Sequence, residues 1–203
     1  MSIQAAQPAP ADDRAAMVAP SFDPSELFDI CDTDNKVTGQ APRGRVHAEG
    51  LYHRSVQVVV LDRAGRMLLQ RRSPTKDVAP GCWDLSCAEH LQPSEAYRAA
   101  AARGLEEELG IPRGPPSDGL TQVLPAFLQD NAYPHAGKID REFVECYLLA
   151  DYDGPITLDG VEVVESKWIA ATEAHAFASA RENAAPWFVD TMSRLRAALP
   201  GKF

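Results

Sequence analysis

The chain is short of positive charge. Twenty Lys and Arg residues face 29 Asp and Glu, for a net charge of -9 over 203 residues. That balance excludes a basic surface for nucleic-acid polymers, and a phosphate-handling chain of this kind needs a metal or a local basic patch. Four cysteines, Cys31, Cys82, Cys87 and Cys146, form no CxxC pair. A zinc ribbon is therefore not expected, nor is a disulfide framework, and a reducing compartment fits. No apolar run approaches the length of a membrane span, so no membrane association is expected. The N-terminus lacks the charged-then-apolar order of a signal peptide. Asp12 and Asp13 are unusual in an organelle transit peptide, so the expectation is a cytoplasmic protein, with plastid or mitochondrial targeting left open. No internal repeat is visible.

What is present is the material of one domain behind an extension. Residues 1–24 hold four prolines and few large apolar residues, and are expected to be disordered. Residues 25–203 are expected to form the domain. "ELFDICDTDNKVTGQ" reads as a hairpin turning at Asp34-Asn35. "HRSVQVVVLD" and "RMLLQRR" read as the two arms of a second hairpin, and "GCWDLSCAEH" as its continuation in the sheet. "LTQVLPAFLQ", "REFVECYLLAD" and "VEVVESKWIA" are further strands, and "APWFVDTMSRLRAAL" is a closing amphipathic helix. Strands, an inserted helix and a final helix give an α/β class with a mixed sheet between helices.

The inserted helix is "SEAYRAAAARGLEEELGI". Ser94 is a candidate N-cap and Gly110 a C-terminal cap. Gly104 stands in its middle, where glycine costs about 1 kcal/mol against alanine. Glu107 and Glu108 lie about 100° apart on the helix, and Arg103, one turn before Glu107, is placed to orient it. Such oxygen ligands suit Mg²⁺. Glu106 reads as solvated charge.

This stretch resembles the Nudix box, G-x5-E-x7-R-E-U-x-E-E-x-G-U with U aliphatic. Glu95, Arg103, Leu105, Glu107, Glu108, Gly110 and Ile111 match at the right spacing. Glu89 stands where the box has its first glycine, and Gly104 where it has its first metal-binding glutamate. The resemblance implies a Nudix-like α/β/α sandwich and cleavage of a diphosphate by a divalent metal, Mg²⁺ or Mn²⁺, that activates water.

The flanks resemble the Nudix branch that includes isopentenyl-diphosphate isomerase. Lys76, Pro80, Gly81, Trp83, His90, Pro186 and Trp187 fall where that branch has them. The resemblance implies a second divalent ion held by His47, His53, His90 and Glu142, with Asp140 a further candidate. It implies diphosphate contacts from Arg72 and Lys76, and a Trp187 that is either lid or core. Trp83 reads as core; His135 and His175 have no motif around them. The isomerases carry a catalytic cysteine two residues before the His90 position, where this chain has Ala88, and a one-residue shift turns Cys87 to the opposite face. Cys31, Cys82 and Cys146 read as buried small hydrophobes.

The expected activity is metal-dependent hydrolysis of an organic diphosphate, nucleoside or isoprenoid. Glu107, Glu108 and Glu142 are its candidate catalytic residues. The alternatives are an isomerase-like enzyme and a non-catalytic diphosphate-binding module. The expected partner is a small-molecule diphosphate.

Overall fold

The computed structural model describes residues 22–115, 117–180 and 183–203. The expectation of disorder over 1–24 therefore lies, for residues 1–21, outside the described residues. Phe22 lies against the domain, with the Arg43 guanidinium 5.5 Å from its ring.

Two sheets form the centre. The larger is mixed, in the order β2 (Val37–Pro42), β1 (Leu27–Cys31), β3 (Tyr52–Val60), β8 (Lys138–Leu149), β7 (Thr121–Tyr133), with β6 (Cys87–His90) also paired to β3. β3 and β8 run parallel, His53 opposite Glu142, and the other pairs of this sheet are antiparallel. The smaller sheet has the order β5 (Trp83–Asp84), β4 (Arg66–Arg72), β9 (Val163–Ala170).

The expected second hairpin does not form as a continuous ladder. "HRSVQVVV" and "RMLLQRR" share only the Leu61–Met67 bridge and then part into different sheets. "GCWDLSCAEH" divides likewise, Trp83–Asp84 into the small sheet and Cys87–His90 into the large one. The physical reason is burial on both faces. Val59 and Leu61 enter one core with Met67, Leu69 and the last two helices, α3 (Ala174–Ser179) and α4 (Phe188–Ala198). Val56, Val58 and Val60 enter a second core under α2 (Tyr97–Leu109). A flat hairpin cannot fill both, whereas strands that separate around a shared core can.

Helix α2 begins later than expected. Its N-cap is Ala96, and Ser94 has φ 63° and donates its backbone N–H to Asp29 Oδ2 at 2.7 Å. Glu95 is drawn instead into two hydrogen bonds from Arg103, at 3.0 and 2.9 Å. The far end is as expected: Gly110 is left-handed (φ 67°), and the N–H groups of Gly110 and Ile111 reach Glu106 and Leu105 carbonyls. Ala100, Ala101, Gly104, Leu105 and Leu109 form the buried face. Gly104 marks the closest approach to β6: a Cβ there would lie 2.7 Å from Cys87 Sγ and 3.1 Å from Glu89 Cβ.

Helix α1 (Arg43–Glu49) was not expected, since its seven residues include a glycine and carry no side-chain cap. It ends at Gly50, left-handed at φ 65°, where a Cβ would meet Ile139 Cγ2 at 2.9 Å. Among the described residues no helix is long and apolar enough to cross a membrane.

Candidate metal and diphosphate site

The register of the large sheet builds the site. Along β3, alternate residues face opposite sides, so His53, Ser55 and Gln57 share the side of Val59. Antiparallel pairing sets His90 beside Ser55 and Ala88 beside Gln57. Parallel pairing sets Glu142 beside His53, with Asp140 two residues earlier on the same side. Beyond the hydrophobic core, this face therefore becomes polar at one end. A cavity opens there, lined by His47, Gln57, Ala88, His90, Asp140 and Glu142, with Arg43, Arg72 and Trp187 at its walls.

His47 arrives by a different route. Six residues on an extended strand would separate it from His53 by roughly 20 Å. Helix α1 and the Gly50 turn fold the chain back, and the two rings lie 5.2 Å apart. His47, His53, His90 and Asp140 each offer a ligand atom within 4.8 Å of the others. Nε2 of His53 lies 3.4 Å from Asp140 Oδ1 and 3.7 Å from Glu142 Oε1. Nε2 of His90 lies 3.2 Å from Glu142 Oε1, and Nε2 of His47 lies 3.6 Å from Asp140 Oδ1.

Phe28, unremarked in the sequence, forms the floor. Its ring stacks on His53 (5.4 Å, 12°) and His90 (4.5 Å, 19°). Burial, with the neighbouring His90 and His53, pulls the His47 pKa down to about 2. Burial also depresses His53 and His90. The same burial, reinforced by Glu142, holds the Asp140 carboxyl well above the usual range. Three neutral imidazoles thus face two crowded carboxyl groups.

The polar atoms at the centre lack partners. Both ring nitrogens of His47, Nε2 of His53, Nε2 of His90 and Oδ1 of Asp140 are buried without a hydrogen bond. Unpaired buried polar groups cost about 1–3 kcal/mol each, and one nitrogen from each imidazole together with an Asp140 oxygen lie close enough to share a single partner. A divalent cation satisfies nitrogen lone pairs and a carboxylate at once, and this donor set suits Mn²⁺, Fe²⁺ or Zn²⁺ better than Mg²⁺. His53 is prepared for it: Nδ1 donates to the Leu51 carbonyl at 3.1 Å, leaving the Nε2 lone pair inward. His90 differs. The Arg43 guanidinium can only donate, so its 3.3 Å contact to His90 Nδ1 leaves the proton on Nε2, toward Glu142. Ligation by His90 Nε2 requires Arg43 to release that contact.

Burial of His47 has a pH consequence. An imidazole with a depressed folded pKa binds its proton only after unfolding. Its contribution to stability is full above the unfolded value of 6.5 and falls as pH drops below it toward the folded value. In metal-free urea unfolding, wild type is expected to lose about 1.4 kcal/mol per pH unit more than His47→Gln, over roughly pH 6 to 4. Parallel slopes would show that His47 is protonated in the folded chain.

The box glutamates occupy two depths. Glu108 is buried and its Oε2 has no partner. Burial, then the charge of Glu89, raises its pKa well above the usual range. Glu107 is half exposed at the rim, where Arg103 Nη1 donates to it at 3.0 Å. Arg103 also donates to the His90 carbonyl at 2.8 Å, tying α2 to β6. Lys76 faces the same polar recess as Glu107, Arg72 and Glu89, and is paired with Glu162. Arg72 stacks on Trp187, 4.9 Å from the ring centroid, and donates to the Val78 carbonyl at 3.0 Å. Glu106 is exposed and bonded to Arg113 at 2.7 Å.

Sequence reading missed four contributors: Phe28, Arg43, Asp84 and Tyr133. Asp84 is fully buried, its pKa raised to about 6 by that burial, and it accepts the Trp187 indole N–H. The Tyr133 hydroxyl is buried, unpartnered and close enough to Asp140 and Glu142 to feel their charge. A buried aspartate in "WDL" is a detectable signal. The other three are visible only once the strands pair. Cys87 packs under α2, where burial and then Glu108 raise its pKa, while Ala88 lines the cavity. Cys82 and Trp83 both pack against the edge of the core, and Cys82 is only partly buried where full burial was expected.

The comparisons with known proteins agree with this architecture. The NUDIX domain family model matches residues 51–189, and the chain belongs to that family. "Nudix hydrolase 3" of Arabidopsis thaliana is 36% identical over 166 residues, covering 78% of this chain. This chain spans only 21% of the plant protein's length. "Isopentenyl-diphosphate Delta-isomerase" of Burkholderia multivorans is 36% identical, covering 71% of this chain and 77% of that protein. The protein of the same description from Nocardia farcinica is 31% identical, covering 84% and 94%. Among solved structures, DR0079 from Deinococcus radiodurans superposes with a TM-score of 0.64 at 22% identity, covering 84% of this chain and 99% of that one. At that identity the likeness concerns the fold.

Proposed function

We propose that the chain is a metal-dependent hydrolase of a small organic diphosphate. Glu108 and Glu107 would hold Mg²⁺ near the phosphates. His47, His53, His90, Asp140 and Glu142 would hold a second divalent ion. These ions would offset phosphate charge and lower the pKa of water. Arg72 and Lys76 would bind the diphosphate, and Glu142 would accept a proton from water. The observation that carries the choice is Ala88. Interconverting isopentenyl and dimethylallyl diphosphate moves protons on and off carbon, which needs a donor aimed into the cavity. Alanine supplies none at the position where the isomerases carry their cysteine, and Cys87 is turned into the α2 core.

A second reading, an isomerase, is favoured by the three-histidine cluster, by Trp187 at the cavity wall and by the bacterial relatives. Phosphorus and proton NMR of isopentenyl diphosphate with the protein and Mg²⁺ or Mn²⁺ separates them. Released phosphate supports the hydrolase. Appearance of the dimethylallyl isomer overturns it. If neither forms, a nucleoside-diphosphate panel follows, and no turnover there under either metal also overturns it.

A further inference from the structure

Glu89 and Gly104 are the two departures from the box pattern, and in the fold they are one feature. Glu89 projects from β6 toward α2, on the same side as Cys87. A Cβ on Gly104 would sit 3.1 Å from Glu89 Cβ and 3.4 Å from its Cγ. The Cys87 sulfur, 2.7 Å from that Cβ, and the side chain of Glu89 together therefore fill the volume that a side chain at 104 would take. The strand has gained a carboxylate and the helix has given up the space for one.

Glu108 supplies the independent observation. It is 4% exposed, lies against the Cys87 thiol, and leaves Oε2 buried without a partner. Among charged neighbours, Glu89 acts on it most strongly. The cations nearby are committed elsewhere. Arg103 makes two hydrogen bonds to Glu95 and one to Glu107, and reaches Glu89 only at 3.4 Å. Lys76 is paired with Glu162. Glu108 is buried and Glu89 partly buried; Glu89 Oε1 accepts the His90 backbone N–H at 2.9 Å, and the guanidinium near its other oxygen is shared with Glu95 and Glu107. Carboxylates withdrawn from water without a full cationic partner are costly, and hard divalent cations take such oxygens.

We propose that Glu89 and Glu108 together form an oxygen-only divalent-cation site, in which the strand residue Glu89 supplies the carboxylate that Gly104 cannot. This deepens the proposed hydrolase reading and rests on it only for the ion's purpose. The oxygen-only site is separate from the histidine cluster, so the two can be counted apart.

The test is Mn²⁺ titration of the full chain, read by electron paramagnetic resonance with echo modulation to detect nitrogen ligands. Wild type is expected to take up an ion without nitrogen coupling, besides any nitrogen-coupled ion. Glu89→Gln, which keeps the shape and removes the charge, should weaken the nitrogen-free ion by about 10- to 100-fold. Glu95→Gln, which removes an Arg103 partner without touching the pair, should retain that ion. Absence of the nitrogen-free ion in wild type overturns the inference. So does unchanged uptake by Glu89→Gln, or equal loss in Glu95→Gln, which would make Glu89 a partner of Arg103 only. A nitrogen-free ion lost in Glu89→Gln, with no nitrogen-coupled ion, sustains this site and instead removes the histidine-bound metal from the proposed function.

Discussion

Glu142→Gln is expected to lower kcat by about 10²- to 10⁴-fold, the range for loss of a positioned base, while leaving stability within about 1 kcal/mol of wild type. The two halves of this expectation have separate causes. Glu142 sits between His90 (3.2 Å) and His53 (3.7 Å) at the cavity, where the proposed hydrolysis would use it as proton acceptor and metal ligand. Glutamine preserves the volume but lacks the charge and the basicity. The folded chain, by contrast, gains from losing one of two crowded carboxylates, because Glu142 raises the Asp140 pKa. Functional sites often carry such strain against stability. Steady-state kinetics on the diphosphate identified by NMR, with urea unfolding alongside, checks both halves. Unchanged kcat would remove Glu142 from the chemistry. Loss of several kcal/mol would make it a structural ion-pair residue. Asp140→Asn, which touches His47 and His53 but not His90, is the informative companion.

Different parts of this site were legible in the sequence for different reasons. The box residues were readable because their contacts are local: Arg103 reaches Glu107 four residues ahead and Glu95 eight residues back, just before the helix. The period-2 pattern of β3 was readable too, and so was the turning away of Cys87, since alternation is a property of any strand. His47 was the least legible. Its route depends on a seven-residue helix of weak propensity and a left-handed glycine, both stabilised by packing against β1, β2 and β8. Ser94 misled because a serine before a helix satisfies the N-cap rule, yet the tertiary contact to Asp29 fixes it in the left-handed region. The parting of β3 and β4 was hidden for a similar reason. Hydrophobic alternation gives the faces of a strand and says nothing of which sheet receives it. Phe28 lies in a local hairpin, but the three imidazoles it packs against are brought to it by α1, β3 and β6, elsewhere in the sequence.

Trp187→Ala should have the largest effect on stability, about 3–5 kcal/mol, the usual cost of deleting a buried aromatic. Trp187 was expected to be either core or lid, and its contacts give it features of both. It is 8% exposed and packs in the core with Leu69, Leu85 and Phe188. Its indole N–H donates to both carboxylate oxygens of the fully buried Asp84, at 2.9 and 3.1 Å. Arg72 rests on its face and reaches Asp84 at 3.5 Å. Removing the indole therefore leaves a cavity, an underbonded buried carboxylate and an arginine without its platform. Trp187→Phe separates these losses, because phenylalanine keeps most of the ring and cannot donate. Its expected cost is about 1–3 kcal/mol, that of a buried acceptor left short of a partner. Asp84→Asn in the Trp187→Phe background should cost less than the sum of the two single changes, since both disturb one hydrogen-bonded unit. Through Arg72 the same substitutions should reach function, raising KM for a diphosphate more than they lower kcat. A KM that stays at the wild-type value in a folded Trp187→Phe chain would show that Arg72 holds its position without the indole, and that the tryptophan serves the core alone.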